Sequence, residues 1–353
     1  MRRLSGIRRG AVIASILAAA LGMSACSSSS SSGSGSGDSA SAGGMKVGVA
    51  FDVGGRGDKS FNDSAAAGID KAVSEFKLAK PRELSGKPDE TDSDKEDRLR
   101  QLADGGAKAI ICVGFSYAPA LEVVSKDYPD VKFQILDNGT VKADNVVGYT
   151  FKDNENAYLV GYLAASASKT GTIGFVGGVN ETLINNFQVG FESGAKAGKS
   201  DIKIETQYLT EAGDYSGYSS PDKGKIAAEG IYDKGADIVY AAAGLSNNGV
   251  FEAAAEKKHY AIGTDSDQYL TADASYKNQI IASALKRLDT ASYNFLKSVK
   301  GDTFKSGNQS VGIKEDGVGY VINNEQIKGE FGSKVDAQKE KIARGEIKVP
   351  SKS

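Results

Sequence analysis

The sequence predicts an α/β protein made of two similar lobes, each built on a mainly parallel sheet. From Met45 onward, short β-branched runs alternate with helical patterns, which is typical of βαβ units. A short segment also recurs: DGGAKAI at 104–110 is echoed by DKGADIV at 233–239. Each copy reads as a helix end, a glycine stop and the start of a buried strand. With halves of similar size, this echo favours two lobes over one large sheet.

The first half shows strands as short apolar runs and helices as apolar residues at helical spacing. Its predicted strands are 46–51, 109–113, 131–136 and 146–151, with helices at 60–76, 96–102 and 121–126. In the second half, strands are predicted at 172–176, 203–209, 237–242, 260–263, 280–285 and 317–322. Helices are predicted there at 184–197, 225–233, 249–257 and 290–299, followed by a polar C-terminal helix.

The strand order places three passages between the lobes, near Thr150, Ser283 and Val311. The first lobe is then expected to comprise 45–150 and 283–310, and the second 151–282 and 311–353. About 300 residues after the N-terminal region are enough for two domains with cores of their own.

The N-terminus predicts export. Four arginines at positions 2, 3, 8 and 9 precede an apolar run too short to cross a bilayer, so residues 1–25 read as a signal peptide. The run Met23–Cys26 (MSAC) resembles the lipobox of bacterial lipoproteins, in which the cysteine is lipidated. Residues 26–44 are almost all Ser, Gly and Ala and predict a flexible tether. We therefore expect a lipid anchor at Cys26 on the outer face of the cell membrane; the alternative is a cleaved signal with a chance cysteine.

Composition excludes several function classes. The chain has two cysteines, Cys26 and Cys112, so an exported domain cross-linked by several disulfides is not expected. Cys112 lies in an apolar run and reads as a small core residue. The formal net charge is −2, and with no basic stripe a nucleic-acid partner is not expected. No feature indicates an oligomer, so a monomer is predicted.

The sequence contains few residues suited to catalysis or to binding a cofactor. The one histidine, His259, ends a charged helix, so neither a metal cluster nor a Ser-His-Asp site is expected. The glycine-rich loop at 54–57 does not continue as a P-loop, because Asp58 stands between Gly57 and Lys59 and would repel a phosphate. We predict no cofactor, no metal and no enzyme activity. A carboxylate pair running glycoside hydrolysis stays open as the enzymatic alternative.

Polar side chains gather at the predicted strand ends, where parallel sheets bind ligands. Asp52, Asp137, Asp265 and Lys286 each follow or end a strand, and Phe61 follows the glycine-rich loop. Any one of these charges alone fits a solvated loop. Their convergence on one edge predicts a binding site for a small polar molecule.

The loop sequence GDKSFND at 57–63 resembles the signature of the basic membrane protein family of ABC-transporter lipoproteins, which includes bacterial purine nucleoside receptors. The similarity extends through 190–194 (GFESG), 262–268 (IGTDSDQ) and 283–286 (SALK). It implies the type I periplasmic binding protein fold, with two Rossmann-like lobes joined by three crossing strands. It also implies a lipid-anchored protein that passes a purine nucleoside to an ABC permease.

The resemblance further implies a role for each matching residue. Two aromatics, Phe61 and Tyr218, would stack on the faces of the base, and Asp52 and Asp137 would accept hydrogen bonds from its edge. Gly244 would let the backbone approach the sugar, while Asp265 and Lys286 would hold the ribose hydroxyls. The expected ligand-binding set is Asp52, Phe61, Asn62, Asp137, Tyr218, Gly244, Asp265 and Lys286.

The residue chemistry fits such a ligand independently of the resemblance. A nucleoside offers a flat π-surface for aromatic plates and a diol for a carboxylate kept ionised by a cation. A sugar would fit the carboxylates almost as well, although the absence of tryptophan counts against a dedicated sugar site. A binding protein for another small solute, or a sensor without transport, therefore stays open.

Overall fold

The computed structural model describes residues 44–352. They form two six-stranded sheets, each with helices packed on both faces. The predicted signal peptide, Cys26 and the tether up to residue 43 lie outside the described residues. Within residues 44–352, no helix combines the length and the apolar character needed to cross a membrane.

The elements of the two lobes follow one another in chain order, apart from a late return to the first lobe. The first lobe contains β1 (Val47–Phe51), α1 (Phe61–Phe76), β2 (Arg82–Ser85), α2 (Asp92–Asp104), β3 (Ala109–Cys112), α3 (Ala118–Asp127), β4 (Lys132–Leu136) and β5 (Val146–Phe151). The second lobe begins with α4 (Asp153–Ala167), β6 (Thr172–Asn180), α5 (Thr182–Gly198), β7 (Lys203–Glu211), α6 (Pro221–Asp233), β8 (Ile238–Ala242) and α7 (Asn247–Lys257). It continues with β9 (Tyr260–Asp265), α8 (Gln268–Thr271) and β10 (Ile280–Lys286). The chain then adds α9 (Leu288–Lys300) and β11 (Gly307–Val311) to the first lobe, and β12 (Val318–Ile322) and α10 (Glu325–Ala343) to the second.

The two sheets have the same strand order. It is β11-β5-β4-β3-β1-β2 in the first and β12-β10-β9-β8-β6-β7 in the second. Neighbouring strands are parallel except for the antiparallel pair of β10 and β12. Strands β1 to β5 therefore correspond to β6 to β10, and the repeated segments at 104–110 and 233–239 lead into the equivalent strands β3 and β8. The predicted architecture of two α/β lobes is confirmed.

Each sheet buries a separate apolar cluster on each face. In β3, Ala109 and Ile111 belong to one cluster and Ile110 and Cys112 to another, because successive side chains of a strand point to opposite faces. Strands covered on both sides read as continuous apolar runs, which explains why they were visible in the sequence. Cys112 is a free, fully buried thiol, as expected of a core residue.

The chain passes between the lobes three times. It leaves the first sheet after β5, and α4 packs into the core of the second lobe. It returns after β10 and passes again between β11 and β12. The passage expected near Ser283 differs from the structure: Ser283 pairs with both β9 and β12 inside β10, so the chain leaves the second sheet only after Lys286.

Four elements were not predicted, one of which, α8, is a single turn of four residues. Strands β2 and β11 are sheet edges with mostly polar, exposed residues, so they lack the apolar signal of an inner strand. Helix α4 is buried on most of its surface, and a helix buried all round has no amphipathic stripe to detect.

Helices α4 and α5 pack with their backbones in contact. A Cβ atom at Gly190 would overlap the backbone of Asn154, and one at Gly194 would overlap Tyr158. The segment 190–194, which contributed to the family resemblance, is therefore a helix-packing motif that holds the second lobe together.

Candidate functional site

A cavity lies between the two lobes at the carboxyl ends of their strands. The space between its lining atoms, including the part open to solvent, is about 540 Å³. All eight residues of the expected ligand-binding set line this one cavity. Its wall also contains Val53, Asp58, Phe115, Leu183, Ile184, Phe187, Ala242 and Thr264.

The loop between β1 and α1 is held by its own acidic side chains. Asp58 accepts hydrogen bonds from the backbone amides of Ser60, Asn62 and Asp63. It thereby satisfies free amides in the first turn of α1. Asp63 in turn accepts from the amides of Gly57 and Lys59. Much of the GDKSFND signature therefore builds the loop and fixes its shape.

Asn62 shares in this scaffold. Its side-chain oxygen accepts from the amide of Asp52, and its nitrogen donates to Val53 O and to Asp58. Asn62 is 1% exposed. It thus lies at the cavity wall with its amide group occupied by the loop, and it fixes the backbone that carries Asp52.

The same loop reaches the second lobe. Ser60 Oγ donates to Asp265 Oδ2 at 2.7 Å, and Gln268 and Ser266 both donate to the backbone oxygen of Lys59. Lys59 has a left-handed backbone, with φ of 56°. These bonds join the lobes directly beside the cavity.

Two aspartates occupy equivalent places in the two sheets. Asp137 follows β4 and Asp265 ends β9, and both have left-handed backbones, with φ of 61° and 68°. Such conformations cost of order 1–3 kcal/mol for residues other than glycine and tend to occur at functional sites. The strain at both positions points to a role for the carboxylates themselves.

Lys286, at the end of β10, joins the two lobes by ion pairs. Its ammonium donates to both oxygens of Asp137 at 3.0 and 2.9 Å and lies 3.0 Å from Asp153 Oδ2. Burial alone lowers the pKa of a lysine, but Asp137, Asp153 and Asp265 outweigh it and raise the pKa of Lys286. Lys286 therefore stays charged. Asp137, which was expected to accept from the base edge, is paired with Lys286 in this structure.

Aromatic rings from both lobes form the cavity walls. Phe61 begins α1, and Tyr218 ends the short 3₁₀ helix Tyr215–Tyr218 of the second lobe. The Tyr218 hydroxyl donates to Glu181. A Cβ at Gly178 would lie 2.5 Å from the Tyr218 ring, and one at Gly244 would lie 3.0 Å from the Tyr218 backbone oxygen. Gly244 is therefore needed for the packing of the tyrosine loop.

Two further carboxyl groups, Asp52 in the cavity wall and Glu181 beside Tyr218, have perturbed pKa values. Burial raises the pKa of Asp52 to about 7, against the opposing hydrogen bond from the Val53 amide. Burial likewise raises the pKa of Glu181 to about 7, against the hydrogen bond from Tyr218. Desolvation disfavours the charged form of an acid, so both groups titrate near neutral pH.

Two groups near the cavity were missed in the sequence, Asp153 and Glu181. Each stands at the start of a helix that directly follows a strand, where an acidic residue is usually an exposed partner of the helix dipole. The signal that could have found them is position: both follow the carboxyl end of an inner strand.

The cavity wall that the structure describes contains neither a metal site nor a histidine. Over residues 44–352, no group of His, Cys, Asp and Glu side chains is arranged to hold a metal. His259 lies away from the cavity, with its ring centroid 5.2 Å from that of Tyr232. The arrangement suits binding, because the cavity combines carboxylates, one of them paired with the ammonium of Lys286, with aromatic walls.

Comparison with known proteins agrees with this geometry. Residues 45–353 match the family model described as "ABC transporter substrate-binding protein PnrA-like". Basic membrane protein A of Borreliella burgdorferi is 38% identical over 83% of this chain and 84% of its own length. The ABC transporter nucleoside-binding protein BmpA of Lactococcus lactis is 33% identical over 87% of this chain and 90% of its own length.

Solved structures agree on the fold. An ABC transporter solute-binding protein from Aeropyrum pernix superposes with a TM-score of 0.75 and 29% identity, covering 87% of this chain and 94% of that one. The expected type I periplasmic binding protein fold is confirmed. The family implies a small-molecule ligand, a permease partner and an extracytoplasmic, membrane-associated location. The chain belongs to the Bmp family of PnrA-like ABC transporter substrate-binding proteins.

Proposed function

We propose that this protein binds a purine nucleoside in the cavity between its lobes and presents it to an ABC permease. The observation that supports this most directly is the pairing of two chemistries in one cavity. Aromatic rings from both lobes face it, and Asp137 and Asp265 lie at the end that holds Lys286. A relative's printed name, nucleoside-binding protein, is consistent with this ligand class.

The base stacks between Phe61 and Tyr218, one ring from each lobe. Stacking of a base on an aromatic side chain contributes roughly 1–3 kcal/mol. Asp52, in the wall of the same cavity, accepts from donors on the base edge. The ribose hydroxyls donate to Asp265 and Asp137, whose charge Lys286 maintains. A carboxylate accepts such bonds at about 1.5–3 kcal/mol each.

Calorimetry with inosine, guanosine and adenosine tests the proposal, together with mass spectrometry of any solute that is retained during purification. We expect binding of at least one purine nucleoside and no binding of free ribose or galactose at comparable concentration. Tight binding of a sugar without nucleoside binding would replace the nucleoside by a sugar as the ligand. A failure to bind either would leave another small solute.

The second part of the proposal concerns the anchor. We propose that Cys26 is lipidated and that 26–44 is a tether, so that a monomeric body reorients outside the membrane. Replacing Cys26 by Ala is expected to release the protein from washed membranes without changing its nucleoside affinity. Retention of the variant in the membrane fraction would exclude this anchor.

A further inference from the structure

The ammonium of Lys286, in the wall of the cavity, is surrounded by charged and aromatic side chains. Lys286 is 2% exposed, and its nitrogen lies 5.2–5.4 Å from the ring centroids of Phe61, Phe151 and Phe187. Two of its N–H groups are used by Asp137, and Asp153 lies 3.0 Å away. Since an ammonium has three donors, its contacts with protein carboxylates determine where it sits.

Asp153 is the member of this group with no other task. It is 1% exposed, and neither of its oxygens receives a hydrogen bond from the residues that the structure describes. Burial raises the pKa of Asp153 well above its usual range, Lys286 opposes this rise, and Asp137 adds to it. A buried acid that no backbone amide or hydroxyl satisfies is costly. The ion pair with Lys286 is therefore the interaction that stabilises Asp153 in this position.

The position of this contact in the chain is unusual. Asp153 is the first residue of α4, directly after the passage that leaves β5, and Lys286 is the last residue of β10, directly before the passage to α9. The contact between them therefore ties together two of the three segments that connect the lobes. Such segments absorb the backbone changes of hinge closure.

We propose that Asp153 is a positioning residue of the ligand site: it holds the Lys286 ammonium against the connecting segments, where Lys286 meets Asp137 of the first lobe. The proposal rests on the proposed function, since the carboxylates that Lys286 orients are those that receive the ligand hydroxyls. Asp153 itself does not line the cavity. Its effect on binding passes through Lys286.

A double-mutant cycle on the full chain tests this, with inosine affinity measured by calorimetry. Asp153→Leu removes the acceptor while filling its space, and Asp153→Asn keeps an acceptor oxygen. We expect Asp153→Leu to weaken binding by about tenfold or more and Asp153→Asn to recover part of the loss. In a Lys286→Met background, Asp153→Leu should change the affinity by less than about twofold. Asn145→Leu, a buried polar change at the opposite end of β5, should lower stability and leave the affinity unchanged.

Two results would overturn the proposal: an Asp153→Leu affinity within about twofold of the wild type, or the same loss in the Lys286→Met background. If Asp153→Leu does not fold, the same comparison of inosine affinities is made with Asp153→Asn, alone and combined with Lys286→Met. If the wild type binds no purine nucleoside, the proposed function fails. In that case, hydrogen exchange of the ligand-free protein tests whether Asp153 and Lys286 are coupled. Exchange at 286–288 should rise in each single variant and rise no further in the double variant, whereas additive increases would refute it.

Discussion

The two lobes share one strand order and yet supply different chemistry at equivalent places. Strands β5 and β10 occupy the same position in their sheets, but β5 ends at Phe151 and β10 at Lys286. The two ends meet, with the Lys286 nitrogen 5.4 Å from the Phe151 ring centroid. At the next strand the lobes agree, since β4 and β9 both lead into an aspartate with positive φ. The shared strand order thus determines where the side chains at the strand ends meet. The residue type at each strand end determines whether a charge is present there.

The lobes also differ in how they hold their cavity residues. The first lobe carries Asp52 and Phe61 on a loop that closes on itself through Asp58 and Asp63. The second lobe carries Tyr218 on a loop fixed by Glu181 and by two glycines. When the lobes separate, the internal hydrogen bonds of the first loop remain, whereas the bonds between the lobes, from Ser60 to Asp265 and from Lys286 to Asp137, are lost.

The largest expected effect follows from removing the charge that distinguishes the lobes. Lys286→Met leaves Asp137, Asp153 and Asp265 without their cation, so the free energy of unfolding should fall by about 3–5 kcal/mol. Urea unfolding without ligand measures this. Burial already raises the pKa values of Asp153 and Asp265, and the loss of the cation raises them further. The deficit should therefore shrink as the pH falls and these acids take up protons. A loss that stays constant with pH would mean that packing, and not charge, is what Lys286 supplies.

The second effect concerns Asp265, one of the two aspartates that occupy equivalent places in the lobes. Asp265→Ala should weaken nucleoside binding by about 3 kcal/mol, since a hydrogen bond to a charged group contributes roughly 1.5–3 kcal/mol and a diol makes two. Calorimetry with adenosine measures it, and 2′,3′-dideoxyadenosine is the matched control because it lacks both hydroxyls. Equal affinity of the wild type for the two ligands would remove the ribose from this end of the cavity.

The third effect concerns the aromatic walls, one from each lobe. Phe61→Ala and Tyr218→Ala should each weaken binding by roughly 1–3 kcal/mol. Phe61→Ala should do so with little loss of stability in the ligand-free protein, whereas Tyr218→Ala also removes the hydrogen bond to Glu181. Phe133→Ala, in the fully buried core of the first lobe, is the control and should cost about 3–5 kcal/mol of folding stability without altering affinity. A Phe61→Ala variant that behaves like the Phe133 variant would identify Phe61 as a core residue.

The smallest effect is a dependence of stability on pH that both lobes share. The pKa of Asp52 is raised from 3.8 to about 7 and that of Glu181 from 4.5 to about 7. The folded protein therefore binds these protons more tightly than the unfolded chain, and stability falls as the pH rises through this window. Asp52→Asn and Glu181→Gln should each flatten the fall, as measured by thermal unfolding across the window. Unchanged profiles in both variants would place the titration elsewhere.

Much of this comparison could be predicted from the sequence. Inner strands covered on both faces gave continuous apolar runs, and their ends located Asp52, Asp137, Asp265 and Lys286 in the wall of one cavity. Partners were harder to predict, because they depend on how the lobes meet. Nothing local in the sequence distinguishes Asp153 from an exposed acid in a first helical turn, and it is the packing of α4 that buries it. The ion pair of Asp137 with Lys286 was likewise not predicted, since the sequence does not reveal that Lys286 reaches across from the other lobe.

The buried thiol of Cys112 gives this protein a practical advantage as a reporter. Burial raises the pKa of Cys112 far above its usual range, so the reactive thiolate is suppressed and the side chain is shielded from reagents. A cysteine introduced at an exposed position such as Leu270, on the second lobe, would be the reactive thiol of the described body. An environment-sensitive dye attached there would convert movement of one lobe against the other into a fluorescence signal, without any background labelling of the core.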